Sequence, residues 1–365
     1  MQYILIFLWI AFFAIMASRM HFKRTVLVNG IEQERFTWFF AFLAFLPIIL
    51  MAGFRSDFVD TWVYRHEFVF NVPSSLSEIP SYMDTVKKDK GFSLLTCFIK
   101  ILIGDNDTFY FLIIAAIQGI IILSVFRKYS TEYVFSVFLF VVSTDYISWM
   151  FNGIRQFMAV VIIFAGTVFM LKKKYIPLIV MILLASTMHQ SALLMIPIVF
   201  IVQGQAWNRR TLLFIALTLI IVFSVSEFTS ILDSALVDTQ YKTVVSDIKE
   251  FNDTGTHPIR VLVYSLPAVL SFLGKNKIKE TNDPMINLST NMSIVTAGLY
   301  IISMFTSGMF LGRLPIYVSL FNYILLPWEL KHIIPEKHKA LSYGLLFVGY
   351  FAFYLYQMHV IWELI

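Results

Sequence analysis

Cysteine, charge and the familiar ligand-binding signatures are all scarce in this chain of 365 residues. Its single cysteine, Cys97, excludes an intramolecular disulfide and any cysteine-based metal site. The sequence contains no glycine-rich phosphate loop and no His-Glu-x-x-His zinc motif. It also contains no basic tract interleaved with aromatic residues, which is the pattern that nucleic-acid binding requires. We therefore predict no metal, no cofactor and no nucleic-acid partner.

The chain consists largely of long hydrophobic runs and has few charged residues. Charged residues make up 14% of the chain and hydrophobic residues 58%, with 37 phenylalanines and a mean hydropathy of +0.76. Soluble domains carry about 25% charged residues, so this composition indicates a polytopic membrane protein. The runs are continuous and do not alternate with polar residues, which favours membrane-spanning helices over a β-barrel.

The apolar runs predict an all-α transmembrane bundle of about twelve helices, which forms a single integral membrane domain over residues 1–365. A span needs roughly 20 apolar residues, and the runs at 175 and 191 are short enough to form one helical hairpin broken at His189. The predicted spans are 3–18, 36–53, 107–126, 133–150, 154–171, 175–188, 191–203, 211–226, 258–273, 288–307, 311–328 and 340–362.

The distribution of basic residues predicts the orientation of these spans. Six loops that would share one membrane face hold 17 of the 28 lysines and arginines, so the positive-inside rule places both termini outside. No basic residue precedes the apolar run at 3–17, and Arg19, Lys23 and Arg24 follow it, which predicts a retained first span.

Two outer loops, 54–106 and 227–257, are long enough to form an extracytoplasmic cap. The apolar run from Gly91 to Lys100 is too short to span and predicts a re-entrant or interfacial helix. The second loop predicts two amphipathic helices from apolar residues at helical spacing. These residues are Ile231, Leu232, Ala235 and Leu236, followed by Tyr241, Val244, Val245 and Ile248.

Four cationic or titratable residues fall on the predicted outer face. Arg55 ends the second span, Arg155 begins the fifth, His189 lies between the sixth and seventh, and Arg313 begins the eleventh. Such groups cost roughly 2.5–3.5 kcal/mol each at membrane depth, so they indicate function. Arginine offers a fork of five donors and keeps its charge, which suits a pyrophosphate held in a partly dehydrated cavity.

Simpler interpretations exist for each of these residues. A single arginine at a helix end can extend to the lipid headgroups, although the polar neighbours Asn152 and Gln156 disfavour this for Arg155. His189 could be an interhelical hydrogen-bonding residue. The acids Asp57 and Asp60 could be solvated or could pair with Arg55. Four aromatic residues favour an interfacial belt over a sugar-stacking platform, namely Trp62, Tyr64, Tyr146 and Trp149.

Several short motifs, taken together and in order, resemble the EpsG family of bacterial exopolysaccharide polymerases, which is related to the Wzy-type polymerases. They are Gly-Phe-Arg55 followed by Asp60 and Tyr64, Asp89-Lys-Gly91-Phe92, Phe-Asn152-Gly-Ile-Arg155-Gln156, Ala-Ser-Thr-Met-His189-Gln-Ser191-Ala, and Arg313 with Tyr317. The family has a longer, glycine-containing link between its first arginine and its aspartate. Either Asp57 or Asp60 could therefore correspond to that aspartate.

The resemblance implies a membrane glycosyltransferase in the bacterial inner membrane, with its active site on the extracytoplasmic face. Its donor and acceptor would be oligosaccharide repeat units linked to undecaprenyl pyrophosphate, and a flippase and a chain-length regulator would be its partners. Fixed cations would stabilise the charge that develops on the departing pyrophosphate. That role would fall to Arg155, Arg313 and Arg55. His189, and after it Asp60, would accept the proton of the attacking hydroxyl.

The resemblance also predicts a wider binding site and leaves alternatives open. Tyr64, Asn152, Gln156 and Tyr317 are the further candidates for binding the pyrophosphate and glycan. A ligase that uses the same lipid carrier would need the same pyrophosphate site. A flippase or transporter of lipid-linked sugars would instead have charged groups through the membrane thickness, often in paired repeats.

Overall fold

The computed structural model describes residues 2–19, 22–28, 31–236 and 253–364, and these residues are mainly helical. The helices in chain order are α1 (Gln2–Arg19), α2 (Trp38–Gly53), α3 (Thr61–His66), α4 (Ile79–Thr85), α5 (Lys90–Ile103), α6 (Asp107–Tyr129), α7 (Tyr133–Val142), α8 (Ile154–Ala165), α9 (Thr167–Leu171), α10 (Tyr175–Met188), α11 (Met195–Ile201), α12 (Arg209–Phe223), α13 (Val225–Leu236), α14 (Pro258–Leu273), α15 (Lys275–Thr281), α16 (Pro284–Phe305), α17 (Ile316–Ser319), α18 (Asn322–His332) and α19 (Glu336–Tyr356). The predicted all-α class is therefore confirmed.

Four of these segments meet the length and hydropathy of a membrane span within the described ranges. They are Asp107–Tyr129, Ile154–Leu171, Pro284–Phe305 and Glu336–Ile361. Three further pairs of helices would qualify if each bent pair were one span, namely α7 with Tyr146–Asn152, α12 with α13, and α14 with α15. The protein is a polytopic membrane protein with four to seven such spans by this measure, and the prediction of twelve is not confirmed.

The predicted span at 311–328 is wrong as a single helix. The chain there forms a 3₁₀ turn at Leu311–Arg313, the short helix α17 and then α18. Pro315 lacks the backbone N–H that a continuous helix would need, which accounts for the interruption after Arg313.

A β-hairpin occupies the basic loop for which the sequence analysis predicted no regular structure. Strand β1 (Lys23–Val28) pairs with β2 (Ile31–Phe36) in antiparallel register, from Lys23 opposite Phe36 to Val28 opposite Ile31. The two strands flank Asn29 and Gly30 in the sequence, which is a strong local signal for a hairpin.

The described residues divide into two compact units. Unit 1 comprises Met1–Phe169, Lys174–Leu193 and Ala340–Ile365, and unit 2 comprises Met170–Lys173 and Leu194–Lys339. The prediction of a single membrane domain with a two-loop cap stays a prediction.

Close packing of α2 against α6 is the feature of unit 1 that positions the site. A Cβ atom added at Gly53 would lie 2.6 Å from Leu112 Cδ1 and 2.9 Å from its Cα. One added at Gly119 would lie 2.5 Å from Ile49 Cγ1. Small residues let helices approach this closely without a hydrophobic drive between them in lipid. The contact at Gly53 therefore holds the next residues of the chain, including Arg55, against the start of α6.

The C-terminal helix α19 joins the same unit through buried aromatic residues. The hydroxyl groups of Tyr146 and Tyr354 lie 3.0 Å apart, and Tyr354 donates to the carbonyl of Tyr3 at 3.0 Å. Tyr146 and Trp149 are both buried. The prediction that these two belong to an interfacial belt is therefore wrong, because their side chains pack inside the protein.

Unit 2 is built around α16, most of whose residues are buried. The rings of Tyr264 on α14 and Tyr300 on α16 have centroids 4.7 Å apart, and Gly298 fits closely against Phe214 of α12. The first predicted amphipathic helix of loop 227–257 is present as α13. The second predicted helix, at Tyr241, Val244, Val245 and Ile248, lies outside the described residues.

Candidate functional site

Arg55 is a buried cation held at the end of α2. Its guanidinium carbon lies 3.9 Å from the centroid of the Phe111 ring, and Nη1 donates to the carbonyl of Met150. Within the described ranges no ion pair gives Arg55 an acidic partner, and its Nε has no hydrogen-bond partner. Burial lowers the pKa of Arg55 to about 9, which leaves the guanidinium charged at neutral pH. Arg55 follows α2, which is a shorter apolar helix than the spans listed above, so its predicted place at the end of a span stays a prediction.

A cavity of about 220 Å³ opens beside this guanidinium. Arg55 is the one charged residue among its lining side chains, and the others are apolar or aromatic: Tyr3, Leu50, Met51, Phe54 and Phe151. A cation at the wall of an apolar hollow suits an anionic group attached to a hydrocarbon chain.

Arg155 is the second cation and follows the first residue of α8. Its Nη1 lies 3.3 Å from Oδ2 of Asp89, and its guanidinium carbon lies 5.7 Å from the centroid of the Tyr64 ring. The Tyr64 side chain also hydrogen-bonds to Arg155. The Arg155 side chain is 34% exposed, so it is anchored on one side and accessible on the other.

The two arginines of unit 1 pack against aromatic side chains. The Arg155 guanidinium carbon lies 5.7 Å from the Tyr64 ring, and Arg55 packs on Phe111, whose ring centroid lies 5.1 Å from that of Tyr110. Burial raises the pKa of Tyr64, although the neighbouring Arg155 opposes this shift. Both cations are therefore held against the protein's own aromatic residues.

His189 ends α10 in an extended conformation, as expected for a helical hairpin broken at this residue. Its Nδ1 lies 2.7 Å from Oγ of Ser191, and the ring is half-buried. The Asp89 carboxylate contacts Arg155, and the backbone N–H of Gln190, the residue after His189, acts to lower its pKa. Gly91, two residues after Asp89, packs on Thr187, two residues before His189. Asp89 therefore lies between the Arg155 guanidinium and the helix that leads to His189.

The two candidate aspartates of the first outer loop have different environments. Asp57 pairs with Arg65, which also pairs with Asp107 at the start of α6, so the proposed pairing of Asp57 with Arg55 is wrong. Asp60 directly precedes α3, is half-buried, and its backbone carbonyl accepts a hydrogen bond from the Tyr64 N–H at 3.2 Å. The residue before it, Val59, has a φ of 44°, a conformation that strains a β-branched residue.

Asn152 and Gln156 lie beside Arg155, and both are buried. Asn152 Nδ2 donates to the carbonyl of Ile147 at 3.2 Å, while its Oδ1 has no hydrogen-bond partner within the described part of the chain. The prediction that these polar side chains avoid lipid is confirmed.

Arg313 and Tyr317 belong to unit 2. Arg313 is exposed in the 3₁₀ turn after α16, and Tyr317 is buried in α17. The convergence of Arg313 with the other two arginines stays a prediction.

A carboxylate organises the loop that leads to Arg313. Asp253 accepts hydrogen bonds from Ser307 Oγ at 2.6 Å and from the backbone N–H groups of Gly308 at 2.9 Å, Met309 at 3.0 Å and Gly255 at 3.0 Å. Burial acts to raise the pKa of Asp253, but these hydrogen bonds outweigh it and hold the pKa below its usual range.

Asp89 and Tyr110 are the residues of this site that the sequence analysis did not assign. Asp89 lies within one of the quoted motifs, so its position was available as a signal, whereas Tyr110 was hidden in an apolar run. Across the described residues, no group of three or more histidine, cysteine, aspartate or glutamate side chains could hold a metal ion.

Comparison with known proteins gives a match to one protein family. No curated protein and no solved structure shows a significant match to the chain. The EpsG family model matches residues 38–363, a range that contains Arg55, Arg155, His189, Asp89 and Arg313. The chain therefore belongs to the EpsG family of Wzy-type exopolysaccharide polymerases.

Proposed function

We propose that this polymerase joins oligosaccharide repeat units carried on undecaprenyl pyrophosphate, at the extracytoplasmic face of the bacterial inner membrane. The growing glycan is the donor, and a hydroxyl of the next lipid-linked unit is the acceptor. The bond between the anomeric carbon and the phosphate oxygen breaks, and the lipid pyrophosphate leaves with the electron pair. The new glycosidic bond forms to the acceptor oxygen, whose proton passes to a base of the protein.

The observation that supports this proposal most strongly is that one compact unit holds His189 and two arginines packed on aromatic rings, Arg55 on Phe111 and Arg155 on Tyr64. A departing pyrophosphate gains negative charge in the transition state, and preorganised donors aimed at it lower the barrier. Arg55 has no acidic partner within the described ranges, so it supplies uncompensated positive charge. Arg155 shares its charge with Asp89 and supplies an oriented pair of donors.

His189 is the proposed general base. When Nδ1 carries the proton and donates to Ser191 Oγ, the lone pair is on Nε2, which is the nitrogen that would accept the acceptor hydroxyl's proton. Asp60 is the second candidate, because it directly precedes α3 close to Tyr64. Both groups belong to the same unit as Arg55 and Arg155.

The remaining predicted residues would bind the substrates around this centre. Asn152 has an unpartnered carbonyl oxygen that could accept from a sugar hydroxyl, and Gln156 lies one turn further along α8. Tyr64 would contact the glycan or pyrophosphate beside Arg155. Arg313 and Tyr317 remain proposed substrate-binding residues. A flippase would act before the enzyme, and a chain-length regulator would act with it.

The test replaces Arg155 or Arg313 by alanine in cells that make the polymer. Each variant is expected to abolish long-chain polymer while single repeat units accumulate on the lipid carrier, because activation of the leaving group is lost. Arg209→Ala is the matched control, since Arg209 is exposed at the start of α12 and has no role in the proposal. Normal polymer levels in both site variants would refute the site.

The location of the accumulated units separates the alternatives. A polymerase defect leaves single units at the outer leaflet, whereas a flippase defect leaves them at the inner leaflet. A ligase defect leaves finished polymer on the lipid carrier. Replacement of His189 by glutamine tests the base, and undiminished turnover in that variant would assign His189 a packing role.

A further inference from the structure

Asp89 is an acidic residue in direct contact with the proposed site residue Arg155, and the proposed reaction gives it no role. Its side chain is only 3% exposed, and Oδ2 lies 3.3 Å from Arg155 Nη1. Burial raises the pKa of Asp89, while Arg155, Lys88 and the backbone N–H of Gln190 act in the opposite direction. An enclosed carboxylate with these neighbours is too inaccessible to take a proton from a glycan hydroxyl.

The Asp89 carboxylate does not cap α5, although an aspartate in this position usually does. Asp89 immediately precedes α5, where an aspartate ordinarily accepts a hydrogen bond from the first turn of its own helix. No such side-chain bond forms here, and the residue has φ 55° and ψ 40° in the left-handed region. That conformation costs about 1–3 kcal/mol for a residue with a side chain, so surrounding contacts must hold it.

The start of α5 is also fitted against the end of α10. A Cβ atom at Gly91 would lie 2.1 Å from Thr187 Oγ1 and 2.6 Å from Thr187 Cβ. Thr187 lies two residues before His189, and Gln190, whose N–H faces Asp89, lies one residue after it. Asp89 therefore contacts Arg155 and lies two residues before the glycine that packs on the end of α10, just before His189.

We propose that Asp89 is a positioning residue that fixes the Arg155 guanidinium relative to the His189 turn. This inference rests on the proposed function, in which Arg155 faces the departing pyrophosphate and His189 faces the acceptor hydroxyl. Asp89 touches neither substrate. It acts by keeping the cation and the base at a constant separation, and a misplacement of about 1 Å in such a constellation can cost on the order of 10²-fold in rate.

The first experiment measures turnover of the full chain in lipid nanodiscs, with the lipid-pyrophosphate-linked repeat unit as substrate. Asp89→Asn keeps the shape of the side chain and removes its charge. Its kcat is expected to fall about 10²-fold, while KM changes less than about threefold, because the orientation needed in the transition state is lost. Asp84→Asn is the matched control, since Asp84 is an exposed acid in the same loop. Wild-type kcat in Asp89→Asn would overturn the inference.

A double variant tests whether Asp89 acts through Arg155. If it does, Asp89→Asn causes no further loss in a protein that already carries Arg155→Ala, because the two residues form one unit. Losses that multiply in the double variant would show that Asp89 acts independently and would overturn the inference. A structural defect that merely destabilises the protein would multiply in this way.

Chemical modification tests the contact between Asp89 and Arg155 without the substrate. Phenylglyoxal modifies accessible guanidinium groups, and peptide mass spectrometry follows the rate at Arg155. The rate is expected to rise at Arg155 in Asp89→Asn. It should stay constant at the exposed Arg209, which controls for the reagent, and at the buried Arg55, which would report unfolding. An unchanged rate at Arg155 would overturn the positioning role. Failure of the wild-type protein to elongate the lipid-linked unit would instead refute the proposed function, while the labelling would still decide the role of Asp89.

Discussion

Gly91→Ala is the substitution whose effect can be worked out most directly from the structure. The added Cβ would lie 2.1 Å from Thr187 Oγ1, 2.6 Å from Thr187 Cβ and 3.0 Å from the Thr187 carbonyl carbon. Ordinary contacts begin at 3.4 Å. A rotamer change could move the Thr187 hydroxyl, at the expense of its 2.7 Å hydrogen bond to the carbonyl of Leu184. It could not move Thr187 Cβ, so α5 and α10 must separate by several tenths of an ångström.

Separation of these helices should affect both stability and turnover. Overpacking of this kind costs about 1–3 kcal/mol, so the variant should unfold at a lower temperature. Separation also pulls Asp89 from Gln190, which should reduce polymer synthesis by on the order of 10²-fold if the His189 turn shifts by about 1 Å. The loss of activity should therefore exceed what the lower stability explains at temperatures where the variant is folded.

The assay compares thermal unfolding in detergent and polymer length in cells for three proteins. Gly349→Ala makes the same chemical change on α19, where nothing lies within 4 Å of the added atom. It should be neutral or slightly stabilising, since alanine is favoured over glycine in a helix by about 0.5–1 kcal/mol. Thr187→Gly in the Gly91→Ala background removes the side-chain clash and should restore part of the activity. Wild-type stability and polymer length in Gly91→Ala alone would refute the packing argument.

Three further predictions follow from groups outside the centre. Asp253→Asn should lower the free energy of unfolding by about 1–3 kcal/mol near neutral pH, because charged hydrogen bonds are lost. The pKa of Asp253 is depressed in the folded state. Its contribution to the free energy of unfolding is therefore complete at any pH above the ordinary aspartate pKa and is lost as the pH falls through the folded-state pKa. Acid titration of the wild type and of Asp253→Asn would show this difference. Lys100→Met should destabilise by about 1–3 kcal/mol in denaturant unfolding, because the backbone carbonyls of Phe68 and Val69 lose their donor, whereas the exposed Lys87→Met should not. Tyr354→Phe removes two hydrogen bonds and should lower the melting temperature by an amount equivalent to about 1–3 kcal/mol, and an unchanged temperature would refute a role for the buried pair with Tyr146.

The sequence predicted the helices well where apolar runs were long and uninterrupted. The runs at 107–126, 154–171 and 340–362 became α6, α8 with α9, and α19, because a backbone in lipid must satisfy its own hydrogen bonds within the segment. The prediction failed at 311–328, where apolar composition concealed the break caused by Pro315. The sequence analysis gave no strands at 23–36, although Asn29-Gly30 signals a turn, because basic residues that mark a membrane face say nothing about strand pairing.

The partners of the site residues could not be predicted in the same way. Apolar periodicity reports on neighbours one turn apart, whereas Arg155 pairs with Asp89 and Arg55 packs on Phe111, residues that are distant in the chain. Asp57 was available to either Arg55 or Arg65 by sequence alone, and only the folded structure assigns it to Arg65.

The sequence by itself determined that the chain is a helical membrane protein of this family, and it determined which cations fall at helix ends. Composition decides the first because a lipid environment tolerates few other backbones. The positions of the cations at helix ends follow from the family motifs, because these motifs place particular residues next to the apolar runs. Only the tertiary structure decided that Arg55 packs on Phe111 and that Arg155 packs on Tyr64 and pairs with Asp89. Ion pairs and close helix contacts depend on which helices pack together, and glycines such as Gly53 and Gly91 permit that packing without revealing the partner helix.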